Sequence, residues 1–248
     1  MNINYDTLAA DYVNYRVPDY RIDAAIRIHI PRGAKILNVG AGQGSYEPDN
    51  ADVTAIEPSI EMIAKRASTK ATAIQGFAES LPFDDNSFDV SLAILTIHHW
   101  QDIQKGLSEL RRVTRGKIII LTWNGEYGDF WLPEYLPKIA EIDVGLFPSI
   151  NQVSDLLGKK SDVEVIEIPH DCTDGFMCAY WQRPEMYLNS AARQAISTFS
   201  RLGNISDGLD RLRSDIESGQ WHKKHAALLS RTTLDCGYRL VIHDKSVA

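Results

Sequence analysis

The chain has 248 residues, 44% of them apolar, and a formal net charge of −7. That length and apolar content suit one large α/β domain or two small ones, and the negative balance argues against a nucleic-acid backbone as the main partner. No apolar run approaches a membrane span, and the opening M-N-I-N-Y-D is read as no signal peptide. The three cysteines, Cys172, Cys178 and Cys236, are odd in number and lack C-x-x-C spacing. They are expected as reduced thiols in a cytoplasmic protein, neither staples nor zinc ligands.

Residues 1–30 carry helical spacing. Tyr5, Leu8, Ala9 and Tyr12 share one face, Val17-Pro18 breaks it, and Ala24, Ala25 and Ile28 resume it. Tyr5, Tyr12, Tyr15 and Arg16 have two readings. They are half-buried packing with a surface arginine, or a cap over a ligand, in which ring faces attract a cation and the Arg16 fork takes a carboxylate.

Lys35 to Tyr46 reads K-I-L-N-V-G-A-G-Q-G-S-Y. The apolar run of Ile36, Leu37 and Val39 has the composition of a strand buried on both faces. Gly40, Gly42 and Gly44 then allow a sharp turn at the strand end against which a ligand can lie. A second strand over 52–56 ends at Glu57, 17 positions after Gly40. That is close to the spacing at which a carboxylate closes on a ribose diol, and with the glycine loop in place this reading outweighs the alternative, that Glu57 merely sits near the start of the next helix where negative charge is favoured. Ile60, Ile63, Ala64 and Ala67 predict the buried stripe of that helix. Third and fourth strands are expected over 71–75 and 88–95, with His98, His99 and Trp100 just past the second of them.

Four segments in this order, N-V-G-A-G-Q-G, A-I-E-P-S, A-E-S-L-P-F and S-F-D-V-S-L-A-I-L-T-I-H-H-W, resemble the Rossmann-like S-adenosylmethionine-dependent methyltransferases. The branch most resembled is that of the quinone-biosynthesis C-methyltransferases. The resemblance covers about residues 1–125 well and the remainder loosely. It implies a glycine loop of Gly40, Ala41 and Gly42 against the methionine part of S-adenosylmethionine, and Glu57 on the ribose. It also implies Pro58 and Met62 lining the adenine, Phe77, Ala78 and Glu79 at the adenine edge, and Ala93 touching the methionine chain. Two positions depart from the family pattern. Asn38 stands where an acid is usual, which weakens the pull on the cofactor's ammonium, and Phe77 stands where an aspartate often bonds the adenine amine.

The spacing G-x-G-x-G, with Ser45 where a dinucleotide site needs its last glycine and Pro48 soon after, favours this phosphate-free cofactor over NAD. His98 and His99 are candidates to orient the acceptor or take its proton, or simply to shape the pocket wall.

Asp102 is a plausible N-cap for a helix buried along Ile103, Leu107, Leu110 and Val113. A fifth, central strand is expected over 117–121, with Trp123 walling the acceptor pocket or packing in the core. Phe130, Trp131, Tyr135 and Leu136 suggest a helix over the site or ordinary packing. A short helix over 152–157 ends at Gly158, and strands are expected over 163–168 and 238–242. The stretch between them is too long for an ordinary connection. It is read as a helical lid, with Tyr180 and Trp181 as candidate acceptor contacts and helix faces at Ala195, Phe199 and Leu202, then Leu209, Leu212 and Ile216. His222 and His225 lack an acidic or cysteine partner nearby in sequence, so they are expected at the surface and no metal is expected.

The expected architecture is one Rossmann-like α/β domain built on a mostly parallel seven-stranded sheet with an antiparallel last strand. Cap helices occupy 1–30, the core 31–169 and 234–248, and the lid 170–233. The expected activity is methyl transfer from S-adenosylmethionine to a small-molecule acceptor. The alternative is a non-catalytic sensor or partner subunit with the same fold.

Overall fold

Strand and helix patterns alternate along the first half of the chain, and alternation of that kind builds a parallel sheet with helices on both faces. The computed structural model describes residues 12–49, 51–67, 69–158 and 161–245. Tyr5, Leu8 and Ala9, and the helical spacing drawn through them, lie outside these residues.

The strands of the main sheet are β1 (Lys35–Val39), β2 (Asp52–Glu57), β3 (Ala73–Gln75), β4 (Phe88–Ile94), β5 (Thr114–Trp123) and β6 (Ser161–Val165). A two-stranded pair, β7 (Ile168–Pro169) and β8 (Thr233–Leu234), lies apart, and β9 (Tyr238–Asp244) returns to the main sheet. The sheet order is β3-β2-β1-β4-β5-β9-β6. β1 to β5 run parallel, and β9 inserts antiparallel between β5 and β6. This is the Rossmann-like sheet with its antiparallel last strand.

The order reverses between β1 and β4, so the crevice at their carboxyl ends is where such sheets bind ligands. Successive residues of β5 face opposite ways. Ile118 and Ile120 pack with Leu107 and Leu110 of α4 (Ile103–Val113) and with Val153 and Leu157 of α7 (Ile150–Leu157). Ile119 and Leu121 pack on the other side with Ile22 and Ile26 of α2 (Tyr20–Arg27) and with an aromatic mass from the lid.

Local signals explain most boundaries. The Asp102 carboxylate accepts from Lys105 N at the start of α4. Gly158 ends α7 in the left-handed region at φ 105°, a conformation glycine adopts without penalty. α2 begins after Pro18 with Asp19 as its cap. Two apolar stripes fall elsewhere than expected. α2 buries Ile22 and Ile26 and leaves Ile28 75% exposed. α3 (Ile60–Ala64) is five residues long and buries Met62, leaving Ile60 59% exposed. A helix that short covers too little of the sheet to need a continuous stripe.

Residues 126–158 hold α5 (Leu132–Tyr135), α6 (Lys138–Leu146) and α7. The stretch 170–233 folds as short helices: a 3-10 turn over Pro184–Leu188, α8 (Ser190–Gln194), a 3-10 turn over Ser197–Arg201, α9 (Ser206–Glu217), α10 (Gln220–Lys224) and α11 (Ala226–Leu229). His225 is only 7% exposed and stacks against Trp131 and Trp221. Its expected surface position is therefore corrected, because the two indoles draw it inward, while His222 stays exposed. No helix among the described residues is long and apolar enough to cross a membrane.

Candidate active site

The glycine loop closes directly on β2. Gly40 N and Ala41 N both donate to Ile56 O, at 2.9 and 3.0 Å, and no helix forms between β1 and β2 among the described residues. Gly40 has φ +69°, and a Cβ there would sit 1.9 Å from Thr96 Oγ1, so only glycine fits. Gly42 has φ +50°, and a Cβ there would meet nothing within 4 Å except Met62 Cε at 3.5 Å.

The loop is braced from beneath. Asn38 Nδ2 donates to Glu47 Oε1 at 3.0 Å, Arg66 Nη2 donates to both Glu47 oxygens at 2.7 Å, and Arg66 Nη1 donates to Gly42 O. Asn38 thus works on the protein's own Glu47. The ion pair is buried on both sides, at 5% and 2% exposure.

Glu57, at the end of β2, turns into the crevice. Its Oε2 accepts from Gly42 N at 2.8 Å and its Oε1 from Ser59 N at 3.0 Å. Burial pushes its carboxyl above the ordinary value, against the pull of those two N–H groups and of Arg66. A carboxylate has about four acceptor positions, so two remain for a ligand.

These groups open onto a cavity of about 590 Å³, within the range of small-molecule sites. One end is lined by Asn38, Gly40, Ala41, Gly42, Glu57, Pro58, Met62, Phe77, Ala78 and Glu79. Phe77 is half exposed and offers only a ring. Glu79 Oε1 accepts from Gln101 N and Asp102 N, so it also anchors the segment that follows the histidines. Tyr46 and Leu95, non-glycine residues at φ 60° and 51°, both line the cavity. Strain of this kind is typical of ligand clamps.

His98 and His99 line the middle. The His98 ring stacks on Phe147 at 3.9 Å and touches His99 at 3.8 Å. Burial, and then the charges of Arg201 and Arg16, hold His99 down to about 3. Burial, and then His99 and the same arginines, hold His98 well below its ordinary value. Both rings are neutral at working pH.

Beyond them lie Trp123, Tyr127, Asp143, Phe147, Phe176, Thr198, Arg201 and Tyr238. Trp123 lines the cavity and is buried in the core, its Nε1 donating to Cys236 O.

Arg16 also lines the cavity, but its fork faces Asp174, with Nε 2.5 Å from Oδ1, while its carbonyl accepts from Gln43 Nε2. The Arg16–Asp174 bridge ties the N-terminal segment to the loop before the lid. Three expected contacts are not brought to the cavity. Ala93 is fully buried in the core on the α4 side, because the pleat turns it away from the crevice. Tyr180 and Trp181 are 3% and 0% exposed. Trp181 Nε1 donates to Ile168 O, and Tyr180 packs edge-on against Tyr187. They belong to the core that joins the lid to the sheet.

The sequence reading missed Tyr127, Asp143, Thr198 and Arg201. Asp143 had a signal: it sits one turn after Ile139, and both are buried on α6, so an acid falls on an apolar face. Thr198 and Arg201 lie in a 3-10 turn, where helical spacing gives no guide.

Known proteins match this arrangement. Residues 37–121 match the family described as methyltransferase domain. The crystal structure of a protein named as a methyltransferase of an antibiotic biosynthesis pathway in Anabaena variabilis is 32% identical, with a TM-score of 0.86. The match covers 92% of this chain and 98% of that one. An uncharacterized methyltransferase of Mycobacterium tuberculosis is 30% identical over 131 residues, half of this chain and 53% of that one. A demethylmenaquinone methyltransferase of Paenarthrobacter aurescens is 33% identical over 123 residues, 44% of this chain and 49% of that one. The chain thus spans about half the length of the curated relatives it matches. With the Anabaena protein aligned almost end to end, and the glycine loop, Glu57 and the reversed sheet order in place, the chain belongs to the Rossmann-like S-adenosylmethionine-dependent methyltransferases.

Proposed function

We propose that this chain binds S-adenosylmethionine at the β1–β2 end of the cavity and methylates a small molecule held beneath the lid. The observation that carries the reading is one continuous cavity, running from Glu57 and the glycine loop to the lid residues Ile196, Thr198 and Arg201. Glu57 would take the ribose hydroxyls, Gly40, Ala41 and Gly42 the methionine chain, and Pro58, Met62, Phe77 and Ala78 the adenine. The residues present fit that ligand. Gly42, at positive φ, leaves open space where a side chain would stand, and Glu57 presents acceptors to hydroxyls.

When bound, the cofactor supplies a methyl group on a sulfonium. The chain's own work is to align the acceptor with that methyl and to exclude water. His98 and His99, kept neutral by burial, are poor proton acceptors. They serve this reading as a positioned wall, with the His98–Phe147 stack fixing one side of the acceptor space.

The test is calorimetry with S-adenosylmethionine and with NAD, followed by incubation with methyl-labelled cofactor and a metabolite extract. Binding of the first ligand alone and transfer of label support the proposal. NAD binding without an S-adenosylmethionine signal sinks it, and binding without transfer leaves a sensor.

A further inference from the structure

The lid wall carries a cation that the fold does not use. Arg201 ends the 3-10 turn Ser197–Arg201 and lines the cavity. Its Nε is shielded from solvent without an acceptor, and among the described residues no carboxylate lies within ion-pair distance of its guanidinium. The other cavity arginine, Arg16, is matched by Asp174.

The acid that feels Arg201 is Asp143, and both its oxygens are taken. Oδ1 accepts from Thr198 Oγ1 at 2.6 Å and Oδ2 from the Tyr127 hydroxyl. Burial also pushes Asp143 up toward its neutral form. The nearby histidines contribute no negative charge. Arg201 is therefore a partly exposed cation on the cavity wall whose guanidinium has no carboxylate of the described residues in direct contact, and an anionic group entering the cavity can pair with it. Around it stand flat apolar walls: Phe147, Trp123, and the Phe176–Tyr238 pair with ring centroids 4.6 Å apart.

We propose that Arg201 anchors the acceptor, and that the acceptor is a small carboxylate with an apolar or aromatic body. This rests on the methyl-transfer reading of the same cavity. One guanidinium carries one positive charge, and an edge of it offers a pair of parallel N–H groups, the match for a planar monoanion. A dianionic phosphate would leave charge unmatched, and an ammonium would meet a like charge.

The probe is benzoate, with benzamide as its neutral isostere, titrated calorimetrically into protein saturated with S-adenosylhomocysteine. Wild type should prefer benzoate by about tenfold or more. Arg201→Met should abolish that preference and Arg201→Lys keep part of it. Neither variant should change the affinity for S-adenosylhomocysteine, which also reports that both fold. The wild-type comparison needs no variant. Equal binding of the two probes overturns the inference, as does a preference that survives in Arg201→Met. A parallel loss of S-adenosylhomocysteine affinity overturns it too, by assigning Arg201 to the cofactor. A wild-type protein that binds no S-adenosylhomocysteine sinks the methyl-transfer reading itself, and is told apart by that first titration.

Discussion

Glu57→Gln separates ligand binding from folding at the position where the two meet. The change keeps size and shape and replaces one acceptor oxygen by a donor amide. Glu57 now accepts from both Gly42 N and Ser59 N, so a glutamine leaves one of these N–H groups facing an NH₂. It also loses the charge that strengthens bonds to ribose hydroxyls, worth about 1.5–3 kcal/mol. S-adenosylmethionine affinity should fall roughly 10- to 100-fold. Stability should move little. Burial raises the folded-state pKa of Glu57 above its unfolded value, so the native state holds its proton to higher pH. The group's contribution is then complete below the unfolded pKa and is lost as pH rises through the folded one. Glutamine has no such loss. At pH 7 the missing N–H bond, about 1 kcal/mol, is offset by the charge no longer buried, and the variant should stay within about 1 kcal/mol of wild type. Calorimetry gives the affinity, and urea unfolding between pH 4 and 7 gives the stability, with the variant gaining on wild type as pH rises. Unchanged affinity would refute the placement of the ribose. A large stability loss matching the affinity loss would show that Glu57 only holds the loop together.

Gly40→Ala forces an L residue to φ +69° with its Cβ 1.9 Å from Thr96 Oγ1. The backbone cost of about 1–2 kcal/mol and the overlap cost of about 1–3 kcal/mol should both appear in urea unfolding. Adding Thr96→Ala, which removes Oγ1 and Cγ2 but leaves a Cβ 2.8 Å away, should return most of the overlap share and none of the backbone share; no recovery would mean that the overlap is not the cause. His98 and His99 are neutral in the fold and protonate on unfolding below their ordinary 6.5. Their lowered folded pKa values therefore remove stability as pH falls below 6.5, by at most about 1.4 kcal/mol per unit for each ring. Replacing each with Gln should flatten the decline between pH 7 and 5, and an unchanged slope would show the rings to be solvated. Asn38→Asp would set a second carboxylate against Glu47 Oε1, 3.0 Å from the present amide. Like charges so close raise one of the two pKa values. The variant should lose about 1–3 kcal/mol at pH 7 and recover toward acid pH, and a variant as stable as wild type would show that the brace is loose.

The parallel half of the fold was legible because its signals are local. Apolar runs bounded by glycine, proline and an N-cap acid mark β1, β2 and α4 to within a residue or so. β5 runs longer than expected, from Thr114 to Trp123, because Thr114 pairs with Phe88 of β4 at one end and pairing with β9 extends through Trp123 and Tyr238 at the other, and no local spacing announces a partner more than a hundred residues away. The stripes of α2 and α3 were misplaced for a related reason. In helices of eight and five residues, the buried face is chosen by the neighbours and not by the longest apolar repeat.

The site divides along the same line. The part proposed for the cofactor is built at the ends of strands, so chain order and glycine spacing place Gly40, Gly42, Glu57 and Ala78 together. The part proposed for the acceptor is built by α6 and by the lid, which reach it from distant points in the chain. There the aromatic residues of the lid misled: Tyr180 and Trp181 are large, and their rings are spent in the core that joins the lid to the sheet. The lid residues that line the cavity are instead a mixed set, apolar Phe176, Met177 and Ile196 with polar Thr198 and Arg201. On the proposed function, a lid that sets a few polar groups among apolar walls would carry specificity in a few bonds. Related chains could then exchange acceptors by changing those bonds while the Glu57 end stays as it is, which is why resemblance reads the cofactor and not the acceptor.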